Sequence, residues 1–378
     1  MKNFRFWLAA IAVLLGSITA SAAIFSVGSL YYRSTSSNEV SVYAFTGSGG
    51  LIIPDTINYD GVTYNVTSID EEAFRGNSEI TSVFIGDKMR KISDYSFYQC
   101  ENLENVVIGS DDEESVTDIG KGVFRDCSAL TNVTLRNSVK SIGESVFSEC
   151  YALKEVKIPN TISNIEKHAF YYCEGLTSII IPNSVTCIES SAFSCCGGLS
   201  SIVIGNNVES IGTDAFHGCS QLHTIINTSN YISIVSGSSD FGKIAYYTYG
   251  GGKVINAQGG TTINGFVFSE NDGTPVLAAY IGEESEVILP EEFNGMNYVI
   301  GDYAFFRCFN VESVIIPNSV TNIGNYAFRE CSKLENIQLG NNVKNIGEQA
   351  FYNCSKLTEI TIPNGLVSIG GDAFYGCI

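Results

Sequence analysis

Histidine is nearly absent: three residues, His168, His217 and His223, in a chain of 378. That leaves little material for general-base or zinc chemistry. Basic residues are also few, 21 Lys and Arg against 40 Asp and Glu, for a formal net charge of −19. Nucleic-acid binders draw affinity from Lys and Arg on phosphates, so this balance excludes a nucleic-acid partner. Neither Gly-x-Ser-x-Gly nor His-Glu-x-x-His occurs, which removes the common hydrolase and metalloprotease signatures. Gly237-Ser-Ser-Asp-Phe-Gly242-Lys243 matches the first half of a phosphate loop, but Ile244 stands where the Mg²⁺-binding Ser or Thr belongs. No acid–base pair, metal-ligand spacing or cofactor motif is left, so the chain reads as non-enzymatic, with no cofactor and no metal. What is plentiful is apolar material: 44% hydrophobic against 16% charged residues, enough to offset the entropy of ordering.

The N-terminus has the form of an export signal over residues 1–22. Lys2 and Arg5 precede the apolar run Phe6 to Leu15, and Ala20-Ser21-Ala22 is a small-residue cleavage pattern. The run is shorter than the roughly 20 residues a membrane span needs. A secreted or cell-surface location with no transmembrane span after cleavage follows. Removing two basic residues leaves 40 acidic and 19 basic, a net charge of −21.

A 23-residue period organises the rest. Phe recurs at 74, 97, 124, 147, 170, 193 and 216, then at 305, 328, 351 and 374, with one 27-residue step between Phe97 and Phe124. Three residues after each Phe stands Cys, from Cys100 to Cys377, except that Asn77 takes the place in the first unit. One unit reads Leu176-Thr-Ser-Ile179-Ile-Ile181-Pro182-Asn-Ser-Val185-Thr-Cys-Ile188-Glu-Ser-Ser-Ala192-Phe193-Ser-Cys-Cys196. Ile179 to Ile181 alternate as a strand, Pro182-Asn183 turns the chain, and Val185 with Ile188 marks a second short strand. The Ala-Phe-x-x-Cys stretch is expected to form one helical or 3₁₀ turn with Ala, Phe and Cys inward. A single coil cannot bury its own apolar side, whereas stacked coils can, so the period predicts a mainly β solenoid.

This Leu-x-x-Ile-x-Ile-Pro-x-x-Val-x-x-Ile-Gly-x-x-Ala-Phe-x-x-Cys unit resembles the BspA-like, Treponema-type class of leucine-rich repeats. The resemblance implies a curved, right-handed leucine-rich-repeat superhelix. It also implies a surface adhesin that engages host matrix or cell-surface proteins.

Two arrays are expected. Leu51-Ile-Ile-Pro54 with Ile57, Gly61, Tyr64 and Val66 precedes Phe74, and Val287-Ile-Leu-Pro290 with Phe293, Gly295, Tyr298 and Val299 precedes Phe305. The same opening element is used twice, giving arrays at 40–226 and 268–378, each started by a cap. The connector 227–267 is rich in Gly and Tyr. Tyr231, Tyr246, Tyr247 and Tyr249 would be the platform of a glycan-binding protein, the alternative to a protein-binding one.

The repeat cysteines sit in a ladder whose parallel Cβ vectors stay too far apart for disulfides, so inert buried thiols are expected. Cys187 and Cys195 lie off the ladder and are the better candidates for a bridged or reactive pair. Ser110 to Ser115 holds the four-residue insertion of the longer unit and reads as a solvated acidic bulge, as do Glu283, Glu284 and Glu286. The fifth position of Leu-x-x-Ile-x-Ile faces away from the core. It holds Phe84, Val107, Thr134, Lys157, Ile180, Val203 and Ile226, then Ile315, Gln338 and Thr361. This largely apolar outward row is the candidate protein-binding stripe, with Phe84, Val107, Lys157, Ile180, Val203, Ile226 and Ile315 as its core members.

Overall fold

A computed structural model describes residues 23–109, 117–245, 253–282 and 284–377. Residues 1–22, where an export signal is expected, the acidic insertion, Tyr246, Tyr247 and Tyr249 lie outside these residues. The chain is a β-solenoid. In one coil, Ser178–Ile180 forms the first strand, Pro182-Asn183 the corner, and Cys187–Ile188 the short second strand. The chain then turns through Phe193 to Cys196.

Pairing from coil to coil is parallel in each array, and the hairpin Thr56–Tyr59/Val62–Ile69 near the start of the first is antiparallel. The first face runs through Gly49–Ile53, Ile80–Ile85, Asn105–Ile108, Asn132–Leu135 and Glu155–Lys157. It resumes as Ser178–Ile180, Ser201–Ile204, Thr224–Asn227 and Lys253–Asn256. The short strands line a second face, and register is kept across the longer unit, where Asn105 pairs with Asn132 and Ile92 with Ile119. Inside, the repeat Phe rings stack with centroids 4.6–5.7 Å apart within each array. Each fully buried Phe contributes about 1.5–3 kcal/mol by leaving water.

The Phe–Cys segment differs from the expected helical or 3₁₀ turn. Ala192, Phe193 and Cys196 do point inward and are fully buried. The backbone, however, alternates. The N–H groups of Ala192, Ser194 and Cys196 donate three residues back within the coil. Those of Ser191, Phe193 and Cys195 donate to the carbonyls of Thr213, Ala215 and His217 in the next coil. A helix would keep every N–H inside its own coil. Left-handed residues on both sides of Phe, here Ser191 (φ 55°) and Cys195 (φ 63°), turn alternate N–H groups outward. The same two positions are left-handed in coil after coil, as at Tyr95 and Gln99 or Tyr326 and Glu330. Among the described residues the sole helix is Asp240–Lys243.

Both arrays open on the same device. Ile24–Val27, Leu30–Ser34 and Glu39–Phe45 form an antiparallel meander, and Thr261–Ile263, Phe266–Asn271 and Thr274–Tyr280 form another. Each slips register at the equivalent point, Tyr31/Tyr32 and Val267/Phe268, and each third strand then pairs in parallel with the next strand of its array, Val62–Ile69 in the first and Tyr298–Ile300 in the second. The meanders begin upstream of the residues at which the sequence repeat becomes countable. The connector does not hang free: Ile232, Ile234 and Ile244 join the first core. Asn227, Ser229 and Asn256 tie the closing loop down, Asn227 donating to the carbonyl of Ile232 (2.8 Å) and Ser229 to that of Val208 (2.6 Å). The result is two separate hydrophobic cores, one per array.

Candidate binding surface

The cysteine ladder carries structure. Each ladder thiol of the first array, from Cys100 to Cys219, donates to the carbonyl of the repeat Phe one coil back, as Cys173 to Phe147 (3.1 Å) and Cys196 to Phe170 (3.0 Å). In the second array Cys354 does the same to Phe328 (3.1 Å). Burial pushes the thiols of Cys150, Cys173 and Cys196 well up and that of Cys354 up to about 12, so they stay protonated and unreactive at neutral pH. The off-ladder pair is not bridged. Cys187 is half-buried and accepts from Ser210 Oγ at 3.2 Å, and burial raises its thiol too. Cys195 occupies one of the left-handed turn positions. In the partial phosphate loop, Lys243 pairs with Asp214 at 2.7 Å and Ile244 is buried, so neither is placed to hold a phosphate.

The outward row is real in register. Ile52, Phe84, Val107, Thr134 and Lys157 are direct neighbours along the first strand face. Ile52 (67% exposed) and Phe84 are exposed, Val107 is half-buried, and Lys157 is exposed. Ile52 and its counterpart Ile288 were missed in the sequence, although Leu51-Ile52-Ile53-Pro54 has the parity of Ile179-Ile180-Ile181-Pro182. Ile288 neighbours Ile315, and both are exposed.

Further along, the placement needs correcting. Ile180, Val203 and Ile226 are in register, and Ile180 is exposed, but Val203 (3%) and Ile226 (0%) are buried. They do point out of their own coils. The chain itself covers them: Val267 and Ala279, on the outer side of the second meander, pack on them, with Ile255 and Ile281 at the margin. Val203 and Ile226 are thus the joint between the arrays and are not open surface. His223 lies beside the same joint, where burial and the Arg307 guanidinium of the second array hold its imidazole below the ordinary range.

Next to the joint the arrays leave a cleft of about 770 Å³. One wall carries Glu155, Lys157, Asn160, Ser178 and Ile180; the other carries Thr261, Thr262, Asn264, Gly265, Ile281 and Gly282. Gly265 (φ 78°) permits the close approach here, since a Cβ on it would stand 2.9 Å from Gly282 Cα. Among the described residues no aromatic side chain lines the cleft. Of the connector tyrosines only Tyr231 is described, exposed and outside the cleft lining. The second array carries tyrosines that went unnoticed in the sequence: Tyr303 on Tyr326 (4.7 Å), Tyr352 on Tyr375 (5.0 Å), and Arg329 over Tyr352 (4.7 Å). These rings spend their faces on one another. Among the described residues no group of three or more His, Cys, Asp or Glu is placed to hold a metal ion. No described helix is long and apolar enough to cross a membrane.

The repeat, its inward Phe and Cys columns and its parallel stacking coincide with a match to the BspA type leucine-rich repeat region, in six copies, over residues 56–174, 141–249 and 291–378. The chain belongs to the BspA-type leucine-rich repeat family. Among solved structures, a leucine-rich cell-surface protein from Faecalibacterium prausnitzii A2-165 is 29% identical, with a TM-score of 0.50 over 95% of this chain and 88% of that one. A leucine-rich repeat protein from Bacteroides ovatus is 23% identical (TM-score 0.38; 94% and 92% covered). The pneumococcal vaccine antigen PcpA is 17% identical (TM-score 0.36; 93% and 78% covered). No curated protein matches the chain. BspA-type proteins are typically exported or cell-surface repeat scaffolds, and the Faecalibacterium relative is a leucine-rich cell-surface protein.

Proposed function

We propose that this BspA-type chain is an exported adhesin that binds a protein ligand through the open part of its outward row. The observation that carries this reading is the run Ile52, Phe84 and Val107: three apolar side chains in register on one sheet face, two of them exposed. A protein in water gains nothing by leaving such a row uncovered, and contiguous exposed apolar surface commonly marks an interaction site. Extended solenoid faces serve that purpose in repeat proteins. The positive n-region, apolar run and Ala20-Ser21-Ala22 support export. A net charge of −21 after processing disfavours anionic partners, leaving apolar contact and steering by cationic patches as the recognition terms.

The test is binding of the mature chain to immobilised extracellular-matrix proteins, beside the double variant Ile52→Lys/Phe84→Lys. Both side chains point into solvent, so folding should be unaffected while binding falls at least tenfold. Equal binding by the variant would remove this row from the site.

A further inference from the structure

The cleft between the arrays has an unusual wall. Among the described residues the strand Thr261–Ile263 pairs on one side only, with Phe266–Asn271, and all three of its residues are exposed. Its connection to that partner is the two-residue turn Asn264-Gly265, with φ of 48° and 78°. Positive φ at both positions identifies a type I′ hairpin, in which the flanking residues Ile263 and Phe266 are the hydrogen-bonded pair. Antiparallel pairs alternate, so the next pair, Thr262 and Val267, is not hydrogen-bonded within the hairpin. The N–H and C=O of Thr262 therefore point away from the hairpin, along the open edge. Thr262 shares its side-chain face with Val267, and that face is turned to the first array.

Across the cleft stand Ile180, exposed, and the oppositely charged Glu155 and Lys157. The volume, about 770 Å³, is that of an ordinary ligand site. The cleft is continuous with the joint, sharing Val203 and Ile281 with it. Its chemistry, among the described residues, is an open main-chain edge, an apolar floor and mixed polar side chains with no ring to stack on. A sugar would look for an aromatic face; an extended polypeptide looks for an edge and a side-chain pocket.

We propose that the cleft takes an extended segment of a protein ligand, which adds as a further strand along Thr261–Ile263 and seats an apolar side chain against Ile180. Thr262 supplies two main-chain hydrogen bonds, one as donor and one as acceptor. Glu155 and Lys157 flank the segment and can select its charged residues. This inference rests on the reading that the chain binds protein, and it places part of that binding at the joint.

The experiment selects a random linear peptide library on the full mature chain and measures the enriched peptides by fluorescence anisotropy. Thr262→Pro removes only the outward N–H, a position that edge strands tolerate, and should lower affinity at least tenfold. Ile180→Lys, on the opposite wall, should do the same and keeps the test decisive if Thr262→Pro disturbs the hairpin. A Val367→Lys variant, at an exposed apolar residue outside both the cleft lining and the outward row, should bind the peptides as the parent does. An absence of enriched peptides, or peptides that bind both cleft variants like the parent, overturns the proposal. So does a cleft that binds oligosaccharides on a glycan array and no peptide. Matrix-protein binding lost in the Ile52→Lys/Phe84→Lys variant but intact in both cleft variants would overturn the cleft alone.

Discussion

The repeat cysteine shows how a single residue type earns its place. A small apolar side chain would fill the same space, but the carbonyl of Phe147 accepts both the N–H of Cys150 in its own coil and the thiol of Cys173 in the next. Cys173→Ala leaves one of these bonds and a small void, and should cost about 1–2 kcal/mol, read as a lower urea midpoint. The thiols also set an alkaline limit. Their folded pKa values are raised by burial, so below the ordinary thiol range near 8.5 their contribution is complete. Above it the unfolded chain releases protons that the folded chain keeps, and stability falls as pH rises. Tyr32, pushed up to about 12 by burial, adds to the trend. Urea midpoints at pH 7.5, 9 and 10.5 should decrease in that order; a level series would contradict the buried ladder.

At the scale of the element, the Phe–Cys turn departs furthest from what local sequence suggests. The left-handed positions hold Glu72, Tyr95, Ser145, Ser191 and Gln349, residues with no shared preference for that conformation. Nothing in a single unit betrays it, because the driving force is the N–H bond to the next coil, which exists only after stacking. The strand positions were legible for the opposite reason: Ile179 and Ile181 alternate with Ile180 within five residues, and burial follows the alternation. Ser191→Val should destabilise by about 1–2 kcal/mol, since a β-branched residue tolerates positive φ poorly. Ser191→Gly should be close to neutral. Equal effects in chemical denaturation would argue against a left-handed Ser191.

For the whole molecule, the repeated opening motif points to two arrays, but nothing in it points to their docking. Whether Val203 and Ile226 face solvent depends on Val267 and Ala279, more than 40 residues away in another array. The hint lay in consecutive outward positions being apolar, a pattern that also suits an open stripe. Val267→Asp should open the joint while sparing both cores. Far-UV circular dichroism should stay unchanged while limited proteolysis gains a cut between Ala257 and Gly265. A protease-resistant variant would mean that the arrays are held by more than this contact.

The coil-to-coil hydrogen bonds have one more consequence. The side-chain bonds along the ladder link residues 23 or 26 apart in most coils, whether near the start of the first array or the end of the second. The entropy lost in closing a loop depends on its length, so every coil closes at about the same cost on the one before it. Assembly of this chain is a succession of equal short closures, and its difficulty does not grow with the number of coils.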